Sequence, residues 1–364
     1  MSLGLCNRSA KLKQESGFRV LYTQNDFPVL QNKLYFSRAD AIACPRGDIQ
    51  LVEDLKTGLI YNKKFNDELV IYDQSYQNEQ GHSLVFKAHL EQVLGLISQY
   101  MSGKRLVEVG CGKGMFVELL QFNGFDVCGL DPAYEGSNSK IDREYFTSEL
   151  GRQFDGVILR HVLEHVENPF EFLNKLNRAN RSSGLIYIEV PSFEWICEKR
   201  AWFDIFYEHV NYFRLTDFYR MFERVVAAGY LFGGQYMYVI ANLNSLREPI
   251  FDSEDSIDFP VNFDTSLRSE AVASSSVVWG ASSKGVIFSL LRERIGFPVG
   301  IIIDINPEKQ GKFIPVTGLC VKSPVDALGN MKNGESICVM NCNYFDEIKR
   351  MSGAKYNYIR IEND

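Results

Sequence analysis

Apolar and polar positions alternate in short runs near the start of the chain and then give way to longer segments with helical spacing. Residues 1 to about 65 contain short apolar runs broken by polar turns, such as FRVLY and DIQLVEDLKTGLIY, and such runs predict strands. From about residue 80 to 102, apolar side chains recur three and four positions apart, as they do in an amphipathic helix. The pattern predicts a small, mostly β lobe over 1–65, followed by a helix.

Strand and helix patterns alternate in the middle of the chain. The apolar runs RLVEVG, DVCGLDP, FDGVILRH and GLIYIEVP are separated by helical segments, which is typical of a parallel sheet covered on both faces. The segment LTDFYRMFERVVAAG is predicted to be a further helix and YLFGGQYMYVIANL a closing hairpin. We therefore expect an α/β domain of the Rossmann-like type over residues 66–245.

A polar, acidic stretch separates this unit from a second one. Residues 246–275 lack a sustained apolar period and are predicted to form a linker with room for a short helix at its end. The runs SVVWGASSKG, VIFSLLRERIG, GIIIDINP and ESICVMN then repeat the alternation of strand and helix. They predict a second, small Rossmann-like α/β domain over residues 276–364.

Composition narrows the classes of function. The 364 residues are 45% hydrophobic and 23% charged, as in globular proteins. A net charge of -7 argues against a general nucleic-acid binder. No apolar run approaches the roughly 20 residues of a membrane span, and the polar start does not resemble a signal peptide. Eight scattered cysteines fit reduced thiols better than a disulfide framework. We expect a cytoplasmic protein without a membrane partner.

The strongest chemical signal is a glycine-rich turn followed by an acidic residue. A predicted strand ends near Glu108, and three glycines lead into a helix, at Gly110, Gly112 and Gly114. Asp131 ends the next strand. Ligands bind at the carboxyl ends of parallel strands, where a carboxylate accepts hydrogen bonds from ribose hydroxyls. The pattern predicts a nucleoside-containing cofactor, although glycines that only ease a tight turn are the plainer alternative.

The order of residues in this turn resembles one enzyme class. E-V-G-C-G-K-G with a downstream L-D-P has the spacing G-x-G-x-G rather than G-x-G-x-x-G, and it is similar to the class I S-adenosylmethionine-dependent methyltransferases. The resemblance implies that Asp131 holds the ribose and that Glu108 helps to position the methionine portion. The cofactor-binding residues that it implies are Glu108, Gly110, Gly112, Gly114, Asp131, Pro132, Arg160 and Tyr76.

Two of the remaining candidates have open alternatives. Tyr72 and Tyr76 belong to an aromatic segment similar to one that closes over the cofactor in this class, but they are equally well explained as surface tyrosines. His161 and His165 are four residues apart at an expected helix start, a spacing that permits metal ligation. Because no third ligand is apparent, no metal is predicted. At least one of the two histidines is expected to face the cofactor end of the sheet.

A cluster of aromatic and ionisable residues marks the expected acceptor side. The segment WFDIFYEHVNYF places Asp204, Glu208 and His209 among six aromatic residues. Uncompensated burial of such groups is unfavourable, so we interpret the segment as a pocket wall, with a core histidine as the alternative. With an ordinary pKa near 6.5, His209 is suited to accept a proton. Glu208 is expected to orient it or to bind substrate hydroxyls.

This segment, EVPS before it and the C-terminal motifs after it resemble the sugar C-methyltransferases over most of the chain. Those enzymes methylate nucleotide-linked 4-keto deoxysugars, and the C-terminal runs VVWGASSKG, DINPEKQGK and VMNCNYF are similar to their C-terminal domain. The resemblance implies S-adenosyl-L-methionine as cofactor, a nucleotide-sugar substrate and His209 as the base. The catalytic residues implied are His209, Glu208, Tyr207 and His165, and the substrate-binding residues are Tyr212, Ser283, Lys284 and Asn341.

The chain also departs from that family. Where the family has two C-x-x-C pairs that hold zinc, this chain has Cys6 to Ser9 and Cys44 to Gly47, which leaves too few ligands. Phe206 replaces an expected tyrosine, and Tyr207 or Tyr212 is a candidate to replace it. A sugar O-methyltransferase in polysaccharide or antibiotic biosynthesis, a catalytically decayed cofactor-binding scaffold and a nicotinamide oxidoreductase are the alternatives. The oligomeric state is not predicted.

Overall fold

The protein folds around three β-sheets, seen in a computed structural model that describes residues 14–15, 17–73, 75–77, 81 and 83–361. The strands in this part of the chain are β1 (Gln14–Glu15), β2 (Phe18–Pro28), β3 (Arg46–Asp54), β4 (Ile60–Asn62), β5 (Arg105–Val109), β6 (Asp126–Leu130), β7 (Ile141–Asp142), β8 (Gly156–Arg160), β9 (Leu185–Pro191), β10 (Asn211–Tyr212), β11 (Val225–Leu231), β12 (Tyr236–Asn242), β13 (Val277–Trp279), β14 (Ile301–Ile303), β15 (Val321–Lys322), β16 (Ser336–Val339) and β17 (Asn357–Arg360). The α-helices are α1 (Arg38–Ile42), α2 (Leu84–Met101), α3 (Met115–Phe122), α4 (Pro169–Ala179), α5 (Phe193–Glu198), α6 (Leu215–Met221), α7 (Glu270–Ala273), α8 (Ser283–Arg294), α9 (Pro324–Leu328) and α10 (Phe345–Met351).

The first sheet is antiparallel and has the order β1-β2-β3-β4-β10. Its last strand comes from the aromatic segment far along the chain, where Asn211 pairs with Tyr61. Cys44 is a buried free thiol, whereas Cys6 lies outside the described residues. The pairing of β10 with β4 ties the expected acceptor segment to the N-terminal lobe.

The central sheet has the order β11-β12-β9-β8-β5-β6-β7 and confirms the α/β fold class. The strands from β9 to β7 are parallel, and β12 and β11 are antiparallel additions at one edge. The strand order reverses between β5 and β8, and ligands of open α/β sheets bind at such a reversal. Buried apolar side chains pack on both faces of this sheet.

Two local predictions about this sheet were wrong. Helix α6 ends at Met221, and the following VVAAG belongs to β11. The β-branched Val225 and Val226 favour a strand, and pairing along β12 stabilises it. The helix expected to begin at His161 is also absent from the described chain, because His161 takes a positive φ of 53°. His165 lies in a short 3-10 turn over Leu163–His165.

The third sheet is wholly parallel, with the order β15-β14-β13-β16-β17. Helix α8 packs against the 3-10 turn Trp202–Asp204. There the fully buried Trp202 stacks on Phe288 at 5.7 Å, and its indole N–H donates to Ser266 Oγ at 2.8 Å. One apolar cluster thereby joins the N-terminal sheet, the aromatic segment and the C-terminal sheet. Among the described residues, no helix combines the length and apolar character needed to cross a membrane.

We expect that Trp202→Ala will destabilise the packing between these parts. Trp202 is fully buried, and truncation of such a side chain costs about 3–5 kcal/mol. Trp202→Phe should cost less because it keeps the ring. The measurement is chemical denaturation followed by circular dichroism. Phe122→Ala is the control, since Phe122 is 90% exposed, and an equal effect of both alanine variants would contradict the prediction.

Candidate active site

A cavity of about 420 Å³ opens where the glycine turn, the aromatic segment and the C-terminal sheet meet. It brings together most of the residues that the sequence singles out. Those that line it are Tyr76, Glu108, Gly110, Gly112, Arg160, His161, His165, Glu208, His209, Ser283, Lys284 and Asn341. Those that do not are Gly114, Asp131, Pro132, Tyr207 and Tyr212.

The glycine turn connects β5 to α3 and leaves space beside its backbone. Gly114 has a φ of 83°, and a Cβ there would lie 2.3 Å from Ile141, so packing as well as conformation requires glycine. Gly112 also has a positive φ, of 54°, but a Cβ there would meet no atom within 4 Å. Gly112 faces the cavity. The space that a side chain would fill is therefore open to a ligand.

Asp131 organises this turn. Its Oδ2 accepts a hydrogen bond from Gly112 N at 2.8 Å, and its Oδ1 accepts one from Ala133 N at 2.8 Å. Asp131 is partly exposed and follows the carboxyl end of β6. The carboxylate and the glycine turn are thus physically coupled, and ribose binding by Asp131 stays a prediction.

Glu108 and Arg160 present incompletely satisfied polar atoms at the cavity. Glu108 Oε2 and Arg160 Nε are buried without a hydrogen-bond partner in the described chain. Burial raises the pKa of Glu108 to about 7, although the charge of Arg160 opposes that shift. The Arg160 guanidinium lies over the Phe116 ring at 4.5 Å. Buried orphan donors and acceptors at a cavity fit a polar ligand such as an amino-acid group.

Glu189, near the end of β9, is a buried carboxylate that contacts Arg160 and His161 of the site. Glu189 accepts a hydrogen bond from Tyr187 at 2.7 Å, and it lies 3.0 Å from nitrogens of both His89 and His161. Arg160 Nη2 is 3.3 Å away. Burial alone would raise the pKa of Glu189, but Arg160 and the two histidines hold it well below its usual range. Sequence analysis missed this network, because His89 and Glu189 are 100 positions apart.

Two copies of the triplet Glu-His-Val meet on the acceptor side. One is 164–166 and the other is 208–210. Val210 N donates to Glu164 O at 2.8 Å, and His165 Nδ1 lies 2.9 Å from Glu208 O. The rings of His165 and His209 are 5.0 Å apart. The repeated triplet is a signal in the sequence from which Glu164 could have been recognised as a site residue.

His209 is 8% exposed and faces the cavity. Its imidazole has no hydrogen-bond partner within the described residues, and its ring centre is 4.0 Å from that of Phe206. Burial, followed by the nearby imidazoles of His165 and His161, holds the pKa of His209 well below its usual range. A neutral imidazole with an available nitrogen therefore borders the cavity.

Glu208 is directed toward the N-terminal part of the chain. Its Oε1 accepts a hydrogen bond from Gln31 N at 2.8 Å, and its Oε2 accepts one from the Tyr76 hydroxyl at 2.6 Å. Burial raises the pKa of Glu208. Tyr76 is partly buried at the cavity rather than free on the surface. Glu208 thereby connects Tyr76 to the aromatic segment 202–213 at the cavity.

The C-terminal turn contributes polar groups that are already engaged. Lys284 Nζ lies 3.3 Å from Asp204 Oδ2 and 4.5 Å from the centre of a Trp195 ring, so its charge is partly neutralised. Ser283 Oγ accepts a hydrogen bond from Asn32 at 2.9 Å. Asn341 Nδ2 donates to Gln235 Oε1 at 2.9 Å. The phosphate role expected for Lys284 would require competition with Asp204.

The two tyrosines proposed to replace the residue at Phe206 bond elsewhere. The Tyr207 hydroxyl accepts from Asn66 N at 2.8 Å. The Tyr212 hydroxyl accepts from Phe206 N at 3.1 Å and donates to Phe206 O at 3.0 Å. Neither lines the cavity. The roles predicted for Tyr207 and Tyr212 in catalysis and substrate binding gain no support from these contacts.

Comparison with known proteins identifies the central domain. Residues 86–225 match the sequence model of a family described as a methyltransferase domain. This part of the chain is similar to a methyltransferase domain. S-adenosylmethionine is its cofactor, in agreement with the open glycine turn and the unsatisfied polar atoms of Glu108 and Arg160.

Relatives with different acceptors match the methyltransferase domain. The chain is 29% identical over 134 residues to the C-methyltransferase NovU of Streptomyces niveus, with 33% of this chain and 32% of that protein covered. It is 33% identical over 98 residues to the ubiquinone biosynthesis O-methyltransferase of Ruegeria sp., with 23% and 40% covered. The match therefore spans about a third to two fifths of the length of these relatives.

Solved structures also include similar domains. A SAM dependent methyltransferase from Archaeoglobus fulgidus is 19% identical and has a TM-score of 0.33, with 44% of this chain and 99% of that chain covered. A protein from Pyrococcus horikoshii is 15% identical with a TM-score of 0.37, over 47% of this chain and 99% of that chain.

Glu108 predicts a pH dependence for the stability of the cofactor-free protein. Its pKa is raised from 4.5 to about 7, so the folded state holds the proton more tightly than the unfolded state. The contribution of Glu108 to the free energy of unfolding is therefore fully present below pH 4.5, and it is lost as the pH rises to about 7. The loss is on the order of 3 kcal/mol. Thermal unfolding at pH 5 and pH 8 should show that Glu108→Gln removes most of this loss.

The matched control for this measurement is Glu118→Gln. Glu118 is an exposed glutamate of α3, so its replacement should leave the pH dependence as it is in the wild type. Identical pH dependence of the wild type and Glu108→Gln would contradict the prediction.

Asp131→Asn should weaken cofactor binding. The substitution removes the negative charge beside Gly112, and hydrogen bonds to charged groups contribute about 1.5–3 kcal/mol, or roughly 10- to 100-fold in affinity. Isothermal titration calorimetry with S-adenosylhomocysteine measures the change. Asp126→Asn is the control, because Asp126 is exposed at the opposite end of the same strand. Equal affinities of the two variants would argue against a role for Asp131.

Proposed function

We propose that the protein transfers a methyl group from S-adenosylmethionine to a carbon atom of a nucleotide-activated 4-keto deoxysugar, with His209 as the base. The observation that carries this proposal is the single cavity that His209 shares with the glycine turn and the C-terminal domain. The NovU relative, a C-methyltransferase, supports a carbon acceptor. The resemblance of the C-terminal runs to the sugar C-methyltransferases supports the nucleotide-sugar part of the proposal.

The side chains around the cavity have distinct roles in this function. S-adenosylmethionine, when bound, supplies an electrophilic methyl group on a positively charged sulfur. His209 takes the proton from the carbon beside the ketone of the acceptor, since its neutral imidazole borders the cavity. The Glu164 carboxylate has an oxygen within 4.8 Å of a His209 nitrogen and stabilises the imidazolium that results. General-base catalysis of this kind contributes about 10²- to 10⁴-fold.

The C-terminal turn is the proposed binding place for the nucleotide. Gly280, Ser283 and Lys284 line the same cavity as His209. Ser283 begins α8, and backbone N–H groups at a helix start favour a phosphate. An incoming phosphate would compete with Asp204 for Lys284, since these two residues form an ion pair. A nucleotide diphosphate at this place would leave the sugar on the side of the cavity that faces His209.

Methyl transfer to a sugar hydroxyl is the second candidate. The O-methyltransferase relative from Ruegeria favours it, and His209 would accept a proton from oxygen as readily as from carbon. The two candidates differ in the product, which carries a branched carbon in one case and a methyl ether in the other. They also differ before methyl transfer, because only the carbon acceptor loses a C–H proton to solvent.

The function is tested by incubation of the protein with labelled cofactor and a panel of dTDP-, GDP- and CDP-linked 4-keto sugars. We expect a product whose carbon NMR spectrum shows a new C–CH₃ group, and exchange of the proton next to the ketone in D₂O without cofactor. A methyl ether would support the second candidate instead. Absence of methyl transfer to every sugar of the panel would contradict both.

His209→Asn separates chemistry from binding. We expect methyl transfer to fall by about 100-fold or more, while affinity for S-adenosylhomocysteine stays within about threefold, because His209 is not among the residues of the glycine turn. Glu167→Gln is a surface control near the site. Methyl transfer at the wild-type rate in His209→Asn would rule out His209 as the base.

A further inference from the structure

Three potential metal ligands converge in the wall of the cavity. Each of Glu164, His165 and His209 offers one ligand atom, and these atoms lie within 4.8 Å of one another. All three residues line the cavity. They come from the two Glu-His-Val triplets, which backbone and side-chain hydrogen bonds hold together. Of the sequence pair His161 and His165, only His165 belongs to this cluster, together with Glu164 and one residue of the aromatic segment.

The burial of the Glu164 carboxylate is an independent observation. The Glu164 side chain is 1% exposed, and neither of its carboxylate oxygens has a hydrogen-bond partner in the described chain. His161 Nδ1 lies 3.4 Å from Oε1 and forms an ion pair with it when protonated. Oε2 has no such contact in the described chain, and an unpaired oxygen of a buried carboxylate is costly. A cation bound to Glu164 would lower that cost.

His165 is oriented in the way that metal-binding histidines usually are. Its Nδ1 lies 2.9 Å from the carbonyl oxygen of Glu208, an interaction that requires the proton on Nδ1 and leaves a lone pair on Nε2. Histidine ligands of metals almost always donate their other ring N–H to a carbonyl, a carboxylate or a water. Glu208 is held in turn by Gln31 and Tyr76, so the carbonyl that orients His165 is itself fixed.

A carboxylate oxygen and two imidazole nitrogens converge at this place, within 4.8 Å of one another. A divalent cation accepts a lone pair from each of them. With about 2.0–2.2 Å between a metal and its N or O ligands, the three side chains would need to approach one another by roughly an ångström from their present separation.

From this geometry we propose that Glu164, His165 and His209 bind a divalent transition-metal ion in the wall of the acceptor cavity. Two imidazoles and one carboxylate are a donor set typical of zinc sites that keep an open position and of other first-row divalent ions. The cavity gives that open position access to an acceptor. An acceptor oxygen that completes the ligand set would be polarised by the ion.

The proposed ion would change the role of His209. A nitrogen that binds the metal cannot accept a proton, so the ion and the base role proposed above exclude each other at any one moment. The metal site itself does not rest on the proposed acceptor, since its test is binding. Only its consequence for methyl transfer rests on the proposed function.

The test is metal binding by the full chain after dialysis against a chelator. Calorimetric titration with Zn²⁺ and visible absorption with Co²⁺ should both report one ion per chain, with a cobalt spectrum that lacks thiolate charge-transfer bands. Glu164→Gln and His209→Gln should each lower the affinity by about 100-fold or more. Glu167→Gln, at an exposed position three residues from Glu164, should bind the ion as the wild type does.

Folding of each variant is checked by circular dichroism and by binding of S-adenosylhomocysteine. Loss of the ion in both folded variants, with retention in Glu167→Gln, supports the site. Failure of the wild type to bind either ion, thiolate bands in the cobalt spectrum, or unchanged affinity in a folded Glu164→Gln protein would overturn it. Methyl transfer is measured separately, both without metal and over a range of metal concentrations. Its absence under all of these conditions would count against the proposed function and not against the metal site.

Discussion

The burial of Glu189 is the constraint on which the site depends. A carboxylate without solvent is tolerated only when charged or hydrogen-bonding groups surround it, and here Arg160, His161 and His89 do so at 3.0 to 3.3 Å. Two of these groups also have a second task. Arg160 reaches the cofactor side beside Glu108, and His161 contacts Glu164 on the acceptor side. One buried anion therefore sets the orientation of side chains in both halves of the cavity.

The cofactor half of the site was predictable because its signals are local. Strand, glycine turn, helix and acidic strand end follow one another within residues 105–131, and the structure brings Asp131 to Gly112 as the order of elements requires. The start of β11 was assigned wrongly. VVAAG continues a helical pattern, which hid the strand preference of Val225 and Val226, and the pairing with β12 places it in an edge strand.

The acceptor half was predictable in composition but not in arrangement. The aromatic segment was predicted to be a pocket wall because it places ionisable residues among aromatic ones, and His209 does face the cavity. What no spacing rule provides is the contact between residues 164–165 and 208–210, which depends on how the segment returns to pair with β4. Glu164 was therefore not counted as a site residue beside His165, and the hydroxyls of Tyr207 and Tyr212 were expected at a cavity that neither residue lines.

The three parts of the chain meet at the cavity through single polar contacts rather than through one broad interface of side-chain hydrogen bonds. Asn32 reaches Ser283, Gln31 and Tyr76 hold Glu208, and Glu347 accepts hydrogen bonds at the start of α2. Each contact joins segments that are far apart along the chain. Gln31 of the N-terminal lobe and Tyr76 hold the Glu208 side chain, and the backbone carbonyl of the same residue orients His165. The arrangement of the acceptor wall therefore depends in part on a lobe that contributes no reacting group of its own.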